Sequence, residues 1–272
     1  MKKINKMSSF PFCSYFTSHS SYFSWPIIVR QGVQFKIDRP LIRHFSSSSL
    51  KKKSSGGGGS TSWWVGRQSN DPYVQQRQKD DYRCRSAYKL LQLNNKFNFL
   101  QPGATVMDCG CCPGSWSQVA AKLVNGNGLR NPNLPPGYVV GCDLLHVEPV
   151  PGTTLLSKHD FTHLGTQEKL LELVNHRPFD VVLSDMAPIK TGNKSLEHDG
   201  IMKLARMVRD FTLANGASEC CMVIKVFQGP LVNPFMEDLK TKFVQVKMTK
   251  PKASREESSE AYVIAKKLKK LE

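Results

Sequence analysis

The run Asp108-Cys109-Gly110-Cys111-Cys112-Pro113-Gly114-Ser115-Trp116 ends the apolar stretch ATVMDC (104–109) and leads into a helical pattern over about 115–124. A strand that turns through glycines into a helix lets the backbone approach a ligand closely, and the helix start offers free N–H groups. A G-x-x-x-G loop alone also suits dinucleotides and phosphates. Here the third glycine of the dinucleotide fingerprint is missing and bulky Trp116 takes its place, which argues against a pyrophosphate.

Outward from this turn, apolar β-branched runs alternate with helical stretches. Strands are expected at 104–109, 138–144, 154–158, 179–184, 220–227, 243–249 and 261–266, and helices at about 115–124, 166–176, 196–215 and 232–241. Such alternation predicts a mostly parallel sheet with helices on both faces. Only PKASREESSE separates the last two strands, so they should form a C-terminal antiparallel hairpin. The expected fold is α/β and Rossmann-like, in the methyltransferase variant. Upstream, Asn70-Asp71-Pro72 is a helix-start pattern that continues through DYRCRSAYKLLQLNNKF (81–97).

Acids recur where strands end: Asp108, Asp143, Asp160 and Asp185. One after the second strand pairs with ribose hydroxyls in nucleotide folds, and one after the third can accept from an adenine amine. S-adenosylmethionine joins adenosine to a sulfonium cation, so an acidic crevice wall suits it better than a dinucleotide. Turn-capping is the plainer role of any single such Asp.

The formal charge of +16 is uneven: residues 1–60 hold ten Lys/Arg and one acid, Asp38, while the remainder holds 28 Lys/Arg and 21 Asp/Glu. A body still basic without its leader fits a polyanionic partner as well as it fits solubility. The acid-free, Ser-rich first 37 residues have transit-peptide composition. Residues 1–45 are therefore expected to direct the chain to the mitochondrial matrix, with cleavage near Arg43-His44-Phe45. Residues 46–62 read as a low-complexity linker containing GGGGS, and 63–272 as the folded domain. No apolar run approaches the ~18 residues of a membrane span. Cys109 and Cys112 have C-x-x-C spacing, but no second pair follows at zinc-site spacing, so no metal is expected. Cys109, Cys142 and Cys220 fall in or beside apolar runs that read as buried strands, and such thiols read as reduced core residues. The closing KKLKK reads as a solvated tail.

The motifs RCRSAYKL (83–90), DCGCCPGSWSQV (108–119), CDLL (142–145), SDMAP (184–188), KVFQG (225–229) and SREESSEAY (254–262) together resemble the FtsJ/RrmJ family of ribose 2′-O-methyltransferases. DPYV (71–74), EHD (197–199) and KASREESSEAY (252–262) resemble its mitochondrial branch, which modifies large-subunit ribosomal RNA. The resemblance implies a seven-stranded class I methyltransferase sheet and S-adenosylmethionine as cofactor. It places Pro113, Gly114, Ser115 and Trp116 at the methionine end, Asp143 at the ribose, Asp160 at the adenine and Asp185 near the methyl group. It also implies a catalytic set of Lys89, Asp185, Lys225 and Glu260. Two departures are Cys111 and Cys112 in place of small Ala residues, and Ile189 in place of Asn.

The chemistry is consistent with that set. A ribose hydroxyl is a weak acid, so its attack on an electrophilic methyl needs a base within hydrogen-bond reach. Lys225 is the candidate base; Lys89 can destabilise its charge, and Asp185 and Glu260 orient the two amines. A solvated surface charge remains the plain reading of either lysine taken alone. Arg83, Arg85, Lys252 and Arg255 are the candidate RNA contacts, holding phosphates without reading sequence. Trp63 and Trp64 either stack on bases or dock on the domain. The function implied is methylation of a ribose 2′-hydroxyl, of a uridine, in mitochondrial large-subunit ribosomal RNA, in support of ribosome assembly. A transfer-RNA or messenger-RNA-cap ribose methyltransferase is the alternative within the same chemistry. A non-catalytic ribosome-assembly factor is the alternative outside it.

Overall fold

The computed structural model describes residues 71–269; the expected leader, the linker, Trp63 and Trp64 lie outside the described residues. Seven strands form one sheet: β1 (Thr105–Cys109), β2 (Tyr138–Asp143), β3 (Thr154–Ser157), β4 (Phe179–Ser184), β5 (Gly216–Phe227), β6 (Phe243–Thr249) and β7 (Glu260–Leu268). Their order is β3-β2-β1-β4-β5-β7-β6. The first five are parallel, and β7 runs antiparallel to both β5 and β6.

The expected hairpin is present, but β7 inserts between β5 and β6. Burial explains the order. The run AYVIA (261–265) is buried throughout and needs a neighbour on each side, whereas β6 exposes Val244 and Met248 and accepts the edge. Expected boundaries shift by a few residues; the largest change is β5, which begins at Gly216 rather than 220. Over Lys266–Lys269 the closing KKLKK is not a free tail. Lys266–Leu268 lie in β7, and Lys266 Nζ donates to Phe97 O at 2.7 Å.

Upstream of the sheet, the single helical stretch expected from residue 70 resolves into α1 (Pro72–Lys79) and α2 (Ala87–Phe97). Asp71 caps α1 by accepting from Tyr73 N, with Pro72 at the first helical position. No residue of α1 is buried, so it cannot share the apolar face of α2, and Asp81 (φ 58°) turns the chain between them.

Side-chain alternation along the strands builds two cores. Val106, Val181, Leu183, Val223, Ile264 and Tyr262 face α2 and α3 (Ser115–Val124), including Leu90, Leu93 and Val119. Met107, Val140, Val182, Met222, Ile224 and Val263 face α4 (Leu164–Leu173), α5 (Lys194–Asn215) and α6 (Val232–Lys242). Cys109, Cys142, Cys220 and Cys221 are buried free thiols within these layers.

Candidate active site

The loop after β1 has the backbone its glycines imply. Gly110 (φ +76°) would drive a Cβ into Met186, and Gly114 (φ +107°) would set one 2.7 Å from Arg83 Nη1. Gly114 caps α3 without a side-chain bond, so no capping side chain occupies the first N–H groups of the helix. Ser115 and Trp116 contribute backbone there, because their side chains turn inward. Ser115 Oγ lies 2.7 Å from Ser86 Oγ and 3.0 Å from Cys84 Sγ, and Trp116 Nε1 donates to Ser86 O at 2.9 Å. Pro113, by contrast, is exposed.

Asp143 and Asp160 lie at the carboxyl ends of neighbouring strands and are held by backbone donors. Asp143 accepts from Cys112 N at 2.9 Å and Leu145 N at 2.8 Å, and Asp160 from Thr162 N at 2.8 Å. Each carboxylate retains lone pairs for a hydroxyl or amine. Asp108 is fully buried; Ser117 Oγ donates to its Oδ2 at 2.6 Å, while its Oδ1 has no partner. Burial, aided by the charges of Asp185 and Asp143 and only partly offset by Ser117, pushes its carboxyl up to about 7. Acids at three adjoining strand ends, an orphaned buried oxygen and a glycine cradle fit a cationic adenosine derivative such as S-adenosylmethionine.

Alternation also brings the candidate catalytic residues together. Asp185 continues the Val181–Leu183 face of β4, Lys225 the Cys221–Val223 face of β5, and Tyr262 and Glu260 the Ile264 face of β7. All four therefore emerge beneath α2, at the edge where the parallel strands end. Lys225 pairs across the sheet with Tyr262, and Phe227 with Glu260. Lys225 Nζ donates to Asp185 O at 2.5 Å and lies 3.1 Å from Asp185 Oδ1. Lys89 Nζ, from the first turn of α2, meets Glu260 Oε1 at 2.5 Å. Burial favours a neutral Asp185, but Lys225, Lys89 and the Tyr262 hydroxyl outweigh it and hold the carboxyl below its ordinary range.

Tyr262 was not singled out from the sequence. It is fully buried, donates to Asp185 Oδ1 at 2.7 Å, and packs its ring 5.7 Å from that of Trp116 and 6.0 Å from Lys89 Nζ. Its signal was its place two residues after Glu260, on the same face of a strand, which becomes informative only once β7 is known to lie beside β5.

The four candidate RNA contacts separate. Arg85 Nη1 meets Asp71 Oδ2 at 2.6 Å and Nη2 donates to Ala253 O at 2.6 Å; Arg255 Nε approaches the same Asp71 oxygen at 4.0 Å. Lys252 is exposed and shares a groove with Lys96 and Lys250. Arg83 is occupied elsewhere: Nη1 donates to Pro113 O (2.8 Å) and Glu148 O (2.6 Å), and Nη2 to Pro149 O (2.6 Å). Those contacts tie the glycine loop to the segment after β2. Arg83→Ala should weaken binding of S-adenosylmethionine about tenfold or more, given ~1.5–3 kcal/mol for hydrogen bonds to a charged group. The salt slope of RNA binding should not change; a slope reduced by about one would return Arg83 to the phosphates.

The FtsJ-like methyltransferase family matches residues 82–268. The chain is 41% identical over 203 residues to "rRNA methyltransferase 2, mitochondrial" of Drosophila melanogaster, covering 75% of this chain and 81% of that one. It is 40% identical over 203 residues, with the same coverage, to "Ribosomal RNA large subunit methyltransferase E" of Brucella anthropi. A crystal structure described as a ribosomal RNA methyltransferase of Plasmodium falciparum superposes with a TM-score of 0.60 at 27% identity, covering 69% of this chain and 98% of that one. With its sheet order, its strand-end acids and this match across most of its length, the chain belongs to the FtsJ-like methyltransferase family.

Proposed function

We propose that this protein is an RNA methyltransferase that transfers a methyl group from S-adenosylmethionine to a ribose 2′-hydroxyl, that of a uridine in mitochondrial large-subunit ribosomal RNA. The observation that carries this reading is the Lys225–Asp185 contact beside the Lys89–Glu260 pair, at the same carboxyl edge of the sheet as Asp143. The relatives' names supply the RNA, the large subunit and the mitochondrion.

Asp143 would hold the ribose of the donor, Asp160 its adenine, and the loop 110–116 its methionine end. When bound, S-adenosylmethionine supplies an electrophilic methyl on a sulfonium. The work of the protein is then positional and acid–base. Lys225, as the free amine, would accept the proton of the 2′-hydroxyl as that oxygen takes the methyl and the carbon–sulfur bond breaks, the sulfur leaving as a neutral thioether. The ammonium so formed is stabilised by Asp185 O and Oδ1, already in place at 2.5 and 3.1 Å. Tyr262 keeps Asp185 oriented, and Glu260 keeps Lys89 close to the same acid. Holding the hydroxyl in line with the methyl lowers the barrier further by alignment.

The domain boundaries belong to the same reading: a leader over 1–45, a linker over 46–62 and a catalytic domain from 63. The test is a map of ribose 2′-O-methyls in mitochondrial ribosomal RNA, with and without the protein. One uridine methyl of the large-subunit RNA should disappear and return with the wild-type chain. An unchanged map, or a lost methyl on a transfer RNA or an mRNA cap, would sink the assignment. Protein recovered from the rescued mitochondria should begin near Ser46; an intact Met1 in the cytosol would remove the leader.

A further inference from the structure

One turn of α5 backs both loops that carry the catalytic groups. His198 is 7% exposed, and both of its ring nitrogens are engaged with the loop that follows Lys225. Nδ1 lies 3.1 Å from Phe227 O, and Leu231 N donates to Nε2 at 3.1 Å. A carbonyl only accepts and a backbone N–H only donates, so these partners assign the proton to Nδ1 and the lone pair to Nε2. Gly229, between the two contacts, lies against the imidazole: a Cβ there would fall 2.5–2.8 Å from three ring atoms. Two residues further along α5, Gly200 meets the other loop, where a Cβ would stand 2.9 Å from Pro188 Cβ, three residues beyond Asp185. The 227–231 loop is tied to β7 as well, because Gln228 N donates to Ser259 O at 2.9 Å, immediately before Glu260.

We propose that His198 is a positioning residue for methyl transfer, a two-point bracket that fixes the end of β5 and thereby the placement of Lys225 against Asp185 and of Glu260 against Lys89. The inference rests on the reading of the site as a ribose methyltransferase. Its physical basis is leverage. Phe227 is two residues from Lys225 and pairs with Glu260 across the sheet, so a loop freed at Phe227 O and Leu231 N loosens two of the four charged groups together. Neither His198 nor the loop it holds touches the glycine cradle or the strand-end acids by any contact described above. The bracket therefore acts on the reacting geometry rather than on donor binding. Displacing a catalytic group by about 1 Å costs on the order of 10²-fold in rate.

His198→Leu keeps the bulk and removes both contacts; His198→Gln keeps one donor and one acceptor on a planar head of similar reach. Both are compared with wild type in single-turnover methyl transfer to transcribed mitochondrial large-subunit ribosomal RNA, at saturating donor and RNA. Calorimetry with S-adenosylhomocysteine and amide exchange at Leu231 accompany the rates. The Leu variant should lose roughly 10- to 100-fold in rate, bind S-adenosylhomocysteine within about twofold of wild type, and lose protection at Leu231. The Gln variant should recover most of the rate and the protection together. Gly229→Ala, which presses on the ring without altering it, should slow transfer in the same way. A Leu variant at wild-type rate despite an unprotected Leu231 overturns the bracket. So does a rate loss that only follows the loss of folded protein, or a Gln variant with Leu231 protected yet as slow as Leu. A wild-type chain that methylates no ribosomal RNA overturns the functional reading and the bracket with it.

Discussion

Lys225→Arg is expected to lose about 10²–10⁴-fold in single-turnover methyl transfer at saturating RNA, the usual cost of removing a general base. The affinity for S-adenosylmethionine should hardly change, since Lys225 contacts Asp185 rather than the glycine loop. Arginine preserves the charge but stays protonated at any accessible pH, so it cannot take the hydroxyl proton. Its planar head also cannot reproduce a short contact to a carbonyl from a site with 10% side-chain exposure. Lys225→Ala should fail equally. Lys89→Ala should lose rate too, because it leaves Glu260 unpaired at 12% exposure and removes one of the cations that hold Asp185 ionised. The two losses should not add, since groups acting as a unit cannot each be lost twice. If Lys225 instead holds a phosphate, its variants would keep the saturated rate and show weaker RNA binding with a shallower salt slope. An Arg variant that turns over normally would remove Lys225 as the base.

The second large effect is on stability. Burial holds the Asp108 carboxyl at about 7, against an ordinary 3.8. Between those values the folded chain keeps a proton that the unfolded chain has released. The contribution is therefore full below pH ~4, declines as pH rises, and is lost once pH passes ~7, a total on the order of 4 kcal/mol. Asp108→Asn cannot ionise and should escape this decline. Urea unfolding at pH 5 and pH 8.5 should show the variant gaining about 3 kcal/mol on the wild type between the two. Parallel pH profiles would mean that Asp108 carries no such burden. Bound S-adenosylmethionine, with its positive charge, should narrow the difference at high pH.

Much of this molecule could be read before any coordinate, and for definite reasons. Period-two patterns and continuous apolar runs placed all seven strands, because burial on one face or two leaves a direct trace in residue type. The acids at strand ends needed only the rule that open sheets bind ligands at their carboxyl edge. What escaped depends on contacts distant in sequence. The insertion of β7 rests on competition between two C-terminal strands for an interior position, and each pattern alone suits a hairpin of either order. Arg83 looks like any exposed cation until Pro113, Glu148 and Pro149 are seen to turn three carbonyls toward it. The contacts of Tyr262 and His198, residues that stand inside the quoted motifs, are hidden for the same reason: their partners lie 77 and about 30 residues away.

The place of β7 also bears on how the protein comes into being. A chain made from its N-terminus presents β1 to β5 well before β7, and until then β5 has a bare, apolar margin. Neither Glu260 nor Tyr262 can meet its partner until that final segment slots into the middle of the sheet. The crevice for the donor, in contrast, draws on residues that all precede 186. A nascent chain can thus complete the carboxyl ends of β1 to β4 before Lys225 and Asp185 gain Tyr262 and Glu260 as neighbours.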